Sequence, residues 1–103
     1  MIERKESDIK RAIKGYLEIK GCLVMPYRSV GIRKPNGSYI PMHGTGISDL
    51  LGLTREGKFF AIEVKRPGGR PTPDQMRFLE SVRSFGCRAF IATSIKDVQA
   101  QGL

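Results

Sequence analysis

Apolar positions along the chain follow two periods, one helical and one extended. From about Glu3 to Lys20, Ile9, Ala12, Ile13, Tyr16 and Leu17 recur at intervals of three and four, the stripe of an amphipathic helix that stops at Gly21. Leu23 to Tyr27 (L-V-M-P-Y) then reads as a strand, and Pro26 assigns it to an edge or to an irregular end. Arg28 to Pro41, with its Pro35-Asn36-Gly37-Ser38 turn, predicts a projecting hairpin or loop. Two apolar runs follow, Ser48 to Thr54 and Lys58 to Arg66. Arg55-Glu56-Gly57 separates them, the interval of a hairpin with Gly at its left-handed position. Thr72 to Gln75 has the form of a capping box that opens a second helix, about Pro73 to Phe85. Phe78, Leu79, Val82 and Phe85 should face inward there, and Gly86 should stop it. Arg88 to Thr93 has the continuous apolar character of a buried strand, parallel to the previous one because a helix intervenes. Residues 94–103 predict a short final helix.

The order helix, three strands, helix, strand is that of an α/β fold with a mixed sheet flanked by helices. At 103 residues the chain is read as a single domain, 1–103, burying about two-thirds of its unfolded surface. If the tight turn centres on Glu56, Thr54 faces Lys58 and Asp49 falls opposite Glu63. Strand alternation then sends Ala61, Glu63 and Lys65 one way and Phe60, Ile62 and Val64 the other. The expectation is one core face and one face for chemistry.

Charge narrows the partner. Eighteen Lys and Arg against ten Asp and Glu give a net charge of +8, which favours a polyanion, nucleic acid first among them. No long uncharged apolar run predicts a membrane span, and a polar N-terminus without a signal peptide predicts a cytoplasmic location. Cys22 and Cys87 lack metal-site spacing and read as buried, reduced thiols. His43, a short way before Asp49, could contact phosphate or carry a proton, or do neither.

Asp49 and Glu63 carry the chemistry. Cross-strand carboxylates roughly 5 Å apart repel unless a proton or a cation lies between them. Magnesium or manganese, which accept carboxylate and carbonyl oxygens, suit Asp49, Glu63 and the Val64 carbonyl, with Lys65 on the same side to reach water or phosphate. An E-x-K tripeptide alone is common on solvated strands. The matching aspartate, the flanking helices and the basic charge together point to a nuclease site. Arg28, Arg33 and Lys34 on the arm, and Arg66 and Arg70 in the Gly- and Pro-rich loop, are candidate DNA-backbone contacts; that loop lacks the pattern of a nucleotide P-loop.

Gly46-Ile47-Ser48-Asp49, Glu63-Val64-Lys65 and Gln75 at a helix start resemble the PD-(D/E)xK nuclease signature, in particular the virus-type replication-repair (VRR-NUC) nucleases, from Glu6 to about Thr93. The resemblance implies a restriction-endonuclease-like αβββαβ core and metal-dependent endonucleolytic cleavage of DNA phosphodiesters with Mg2+ or Mn2+. It implies Asp49, Glu63 and the Val64 carbonyl as metal ligands, Lys65 as the catalytic lysine, and Gln75 beside it. It further implies Glu6 as the acidic residue that the first helix sends toward the metal. Ser48 stands where the family often has proline. Gln75 can equally serve the capping box, and Glu6 can pair with Lys10, with Glu3 an acidic neighbour one turn earlier. Branched or flapped DNA is the substrate form that the resemblance implies, and stand-alone members can act as homodimers. Rival readings are a non-catalytic nucleic-acid-binding module and a restriction-like or RNA-directed nuclease.

Overall fold

Ile9, Ile13 and Leu17 form the buried stripe of helix α1 (Glu6–Ile19), which ends where Gly21 adopts a left-handed φ of 90°. The computed structural model describes residues 5–27, 31–33, 35–37, 39–41 and 46–103. Strands β1 (Leu23–Pro26), β2 (Gly31–Arg33), β3 (Tyr39–Pro41), β4 (Leu50–Leu53) and β5 (Phe59–Val64) follow, then α2 (Pro73–Ser84), β6 (Arg88–Ala92) and α3 (Ile95–Ala100). The main sheet has the order β1-β4-β5-β6, antiparallel at its first two pairings and parallel between β5 and β6. Strands β2 and β3 pair separately as an antiparallel hairpin, so the arm is a hairpin and β1 is an edge strand. Arg28, Lys34 and His43 lie outside the described residues.

The register of the central hairpin is the one its turn predicts. The Thr54 N–H donates to the Lys58 carbonyl at 2.9 Å, Gly57 has a φ of 79°, and Leu50 lies opposite Ile62. Phe60, Ile62 and Val64 pack under α1 and α3, with Ile9, Ile13, Leu17 and Val98.

The other face differs from the expectation. Ala61 is fully buried against Leu79 of α2 and Ala89 of β6, and every residue from Phe60 to Val64 is buried. The parallel connection from β5 to β6 lays α2 across that face, so both faces are core and the candidate polar groups are confined to the far end of β5. Phe85 is a second correction: it is 85% exposed. As the residue that caps the C-terminus of α2, it sits on the flank of the stripe, about 120° around the axis from Leu79. The two cysteines are free and half-buried rather than buried. Among the described residues, no helix is long and apolar enough to cross a membrane.

Gly52 has no room for a side chain. A Cβ there would lie 2.3 Å from the Phe60 ring and 2.5 Å from the Leu23 carbonyl oxygen. The ring could turn away, but the carbonyl belongs to the β1–β4 ladder. Gly52→Ala is expected to cost about 3 kcal/mol, measured as a lower midpoint in urea unfolding.

Candidate active site

The end of β5 nearest α2 gathers the polar groups. Asp49 immediately precedes β4, and its Oδ2 accepts the Val64 N–H at 3.0 Å, replacing the backbone partner that the antiparallel ladder loses there. The N–H and C=O of one strand residue point to the same edge, so the Val64 carbonyl faces the Asp49 side as well. Lys65 points its N–H the other way, to the Ala92 carbonyl at 3.0 Å, which anchors its backbone to β6.

Glu63 is 1% exposed. Its Oε1 accepts from Gln75 Nε2 at 3.0 Å and lies 3.7 Å from Lys65 Nζ, while its buried Oε2 has no hydrogen-bond partner among the described residues. Burial first, and then the negative charge of Asp49, push the Glu63 carboxyl up to about 8; Lys65 pulls it back in part. The Lys65 side chain is itself only 14% exposed.

Gln75 completes a helix cap and also reaches Glu63. Its N–H donates to Thr72 Oγ1 at 3.1 Å and its Oε1 accepts the Thr72 N–H at 2.8 Å, which completes the capping box of α2. With Oε1 so engaged, Nε2 is left to donate to Glu63. The opposite amide orientation would set oxygen against carboxylate and NH2 against N–H.

Gly46, at the head of the Gly46-Ile47-Ser48-Asp49 run, seats the segment before Asp49 on this helix. At φ 89° it packs on the first turn of α2, where a Cβ would lie 2.7 Å from the Asp74 carbonyl carbon. A glycine shortly before an aspartate was the available signal. Next to Asp49, the fully buried Ser48 hydroxyl has no hydrogen-bond partner among the described residues.

The family model for the VRR-NUC domain matches residues 39–96, more than half of the chain. The chain belongs to the VRR-NUC family. A solved structure described as a VRR_NUC domain superposes with a TM-score of 0.65 and 28% identity, over 92% of this chain and 90% of that one. No curated protein matches at a significant level. The fold is thus the restriction-endonuclease-like α/β fold of VRR-NUC proteins, and membership places the chain in a nuclease family, whose substrates are nucleic acids.

Asp49, Glu63, Val64, Lys65 and Gln75 are brought together at one end of this VRR-NUC sheet. Glu6 is not. It lies in the first turn of α1, and among the described residues no three His, Cys, Asp or Glu side chains form a group able to hold a metal. No Glu6–Lys10 ion pair forms among the described residues either. Arg66 and Arg70 are exposed on the loop that leaves β5, whose turn is closed by the Gly69 N–H donating to the Arg66 carbonyl at 2.8 Å. Arg33 belongs to β2, in the arm.

Proposed function

We propose that this VRR-NUC chain is a divalent-metal-dependent endonuclease that hydrolyses DNA phosphodiesters and selects branched substrates. The observation that carries the reading is the buried, unpartnered Oε2 of Glu63 beside Asp49. A buried carboxylate next to a second carboxylate is costly on its own and favourable around a cation. Two carboxylates with a backbone carbonyl form an all-oxygen donor set, which suits Mg2+ or Mn2+. Asp49, Glu63 and the Val64 carbonyl are the residues that would hold the ion. When bound, it supplies Lewis-acid polarisation of the phosphate and neutralises charge on the leaving oxygen.

The remaining work belongs to the chain itself. The Val64 N–H fixes the Asp49 carboxylate, and Gln75 fixes Glu63 through Oε1 so that Oε2 stays directed into the site. Lys65 orients the attacking water and stabilises charge building on the phosphate oxygens. Arg66 and Arg70, with Arg28, Arg33 and Lys34 of the arm, hold the DNA backbone. A homodimer would present two such sites for paired cuts across a four-way junction. Shape and phosphate contacts, rather than base sequence, set the selectivity.

The test is parallel digestion of linear duplex, flap, four-way junction and single-stranded RNA with Mg2+, with Mn2+ and with chelator. The expected result is cleavage only with metal, fastest on the flap or junction. Equal rates on linear duplex would remove the structural selectivity, preferential cleavage of RNA would replace the substrate, and inertness toward all four would favour a binding module.

A further inference from the structure

We propose that one flank of α1 is a second nucleic-acid contact surface, a seat for the phosphate backbone of the substrate at the end of the sheet where Asp49 lies. Ser7, Lys10, Arg11 and Lys14 of α1 line a groove of about 280 Å³, completed by Pro26 at the end of β1 and by Leu50 at the start of β4. Its floor is apolar, from Pro26 and Leu50, and its charged lining is three cations, with no carboxylate and no aromatic ring among the lining residues on which a base could stack. Such a lining recognises phosphate rather than base edges.

The cations are available. Lys10 has no ion-pair partner among the described residues. Arg11 meets Asp8 at 3.7 Å and Lys14 meets Glu18 at 3.1 Å, both as i,i+3 or i,i+4 pairs on the open surface. Pairs of that kind contribute little and exchange readily for a phosphate. Lys10 and Lys14 are one helical turn apart, about 6 Å along the axis, a spacing that successive phosphates of one strand can meet.

Position links the groove to the site. Leu50 follows Asp49 directly, and Tyr27, the residue after Pro26, donates its N–H to the Asp49 carbonyl at 2.8 Å. A backbone lying along α1 therefore passes the end of β4 from which Asp49 projects. Helix α1 precedes the segment that the VRR-NUC family model matches, so the surface is read from this chain's own residues.

The inference rests on the reading of the chain as a nuclease acting on DNA, and the test separates the two. Affinity for a four-way junction is measured across a salt series in the Lys65→Ala background, where the substrate survives. Adding Lys10→Ala with Lys14→Ala, changes that preserve helix propensity, is expected to weaken binding at least about tenfold near physiological salt. It should also reduce the slope of log K against log salt by about 1.8, for two lost phosphate contacts. Lys96→Ala on α3 serves as the exposed-lysine control. A double variant that matches this control in affinity and slope overturns the inference, as does absence of DNA binding in the parent. Failure of the wild-type chain to cleave any substrate, with the double variant still weakened in binding, sinks the nuclease reading and leaves this surface standing.

Discussion

Lys65→Ala is expected to lower the single-turnover cleavage rate by about a thousandfold while DNA binding at low salt persists. The ammonium lies 3.7 Å from Glu63 Oε1, and its backbone N–H is tied to Ala92 of β6 at 3.0 Å. The parallel ladder therefore aims it, and a truncated side chain leaves Glu63 without an ion-pair partner among the described residues. A second loss compounds the first. Lys65 opposes the forces that keep a proton on Glu63, so its removal biases that carboxyl further toward the neutral form, a poorer partner for a cation. Lys65→Arg keeps a charge but replaces a compact ammonium with a wide planar fork, and should recover only a small part of the rate. Wild-type rates in both Lys65→Ala and Glu63→Ala would refute the proposed chemistry.

Asp49→Ala should abolish turnover and weaken Mn2+ binding by about 100-fold or more, read by calorimetry. It should also destabilise the fold, because the Val64 N–H loses its acceptor at 3.0 Å. A part-buried donor left unpaired costs about 1–3 kcal/mol. Asp49→Asn separates the two effects: the amide oxygen can still accept from Val64, while the charge that a cation needs is gone. The expected pattern is a melting temperature close to wild type in Asp49→Asn, lowered in Asp49→Ala, and no cleavage in either. Robust cleavage by Asp49→Asn would remove Asp49 from the metal site.

What was legible in the sequence was local. The pairing of Leu50 with Ile62 follows from three turn residues, because a two-residue period leaves only one register once the turn is placed. The capping box follows from Thr72 and Gln75, which are neighbours on the first turn. What was not legible needed a second element. The fate of Ala61 depends on α2 lying across it, and an alternating strand pattern does not say whether its second face is covered. Phe85 lies on the flank of its stripe at the helix C-cap and is exposed, a detail that an approximate apolar period does not resolve. Gln75 reads as either cap or catalytic neighbour until its two amide atoms are placed against Thr72 and Glu63. Glu6 shares the inward period of α1, but it sits in that helix's first turn and the acidic pair closes without it. The groove along α1 is visible beforehand only as scattered lysines, since its floor comes from residues distant in sequence.

The contact of Gly46 with Asp74 has a bearing on how such a protein can diversify. The returning chain is pinned to the start of α2 three residues before Asp49, with no room for even a methyl group. Changes upstream, in the β2–β3 hairpin, meet that clamp before they reach the acidic pair. The hairpin is therefore a place where length and charge can be exchanged without disturbing how Asp49 and Glu63 are set.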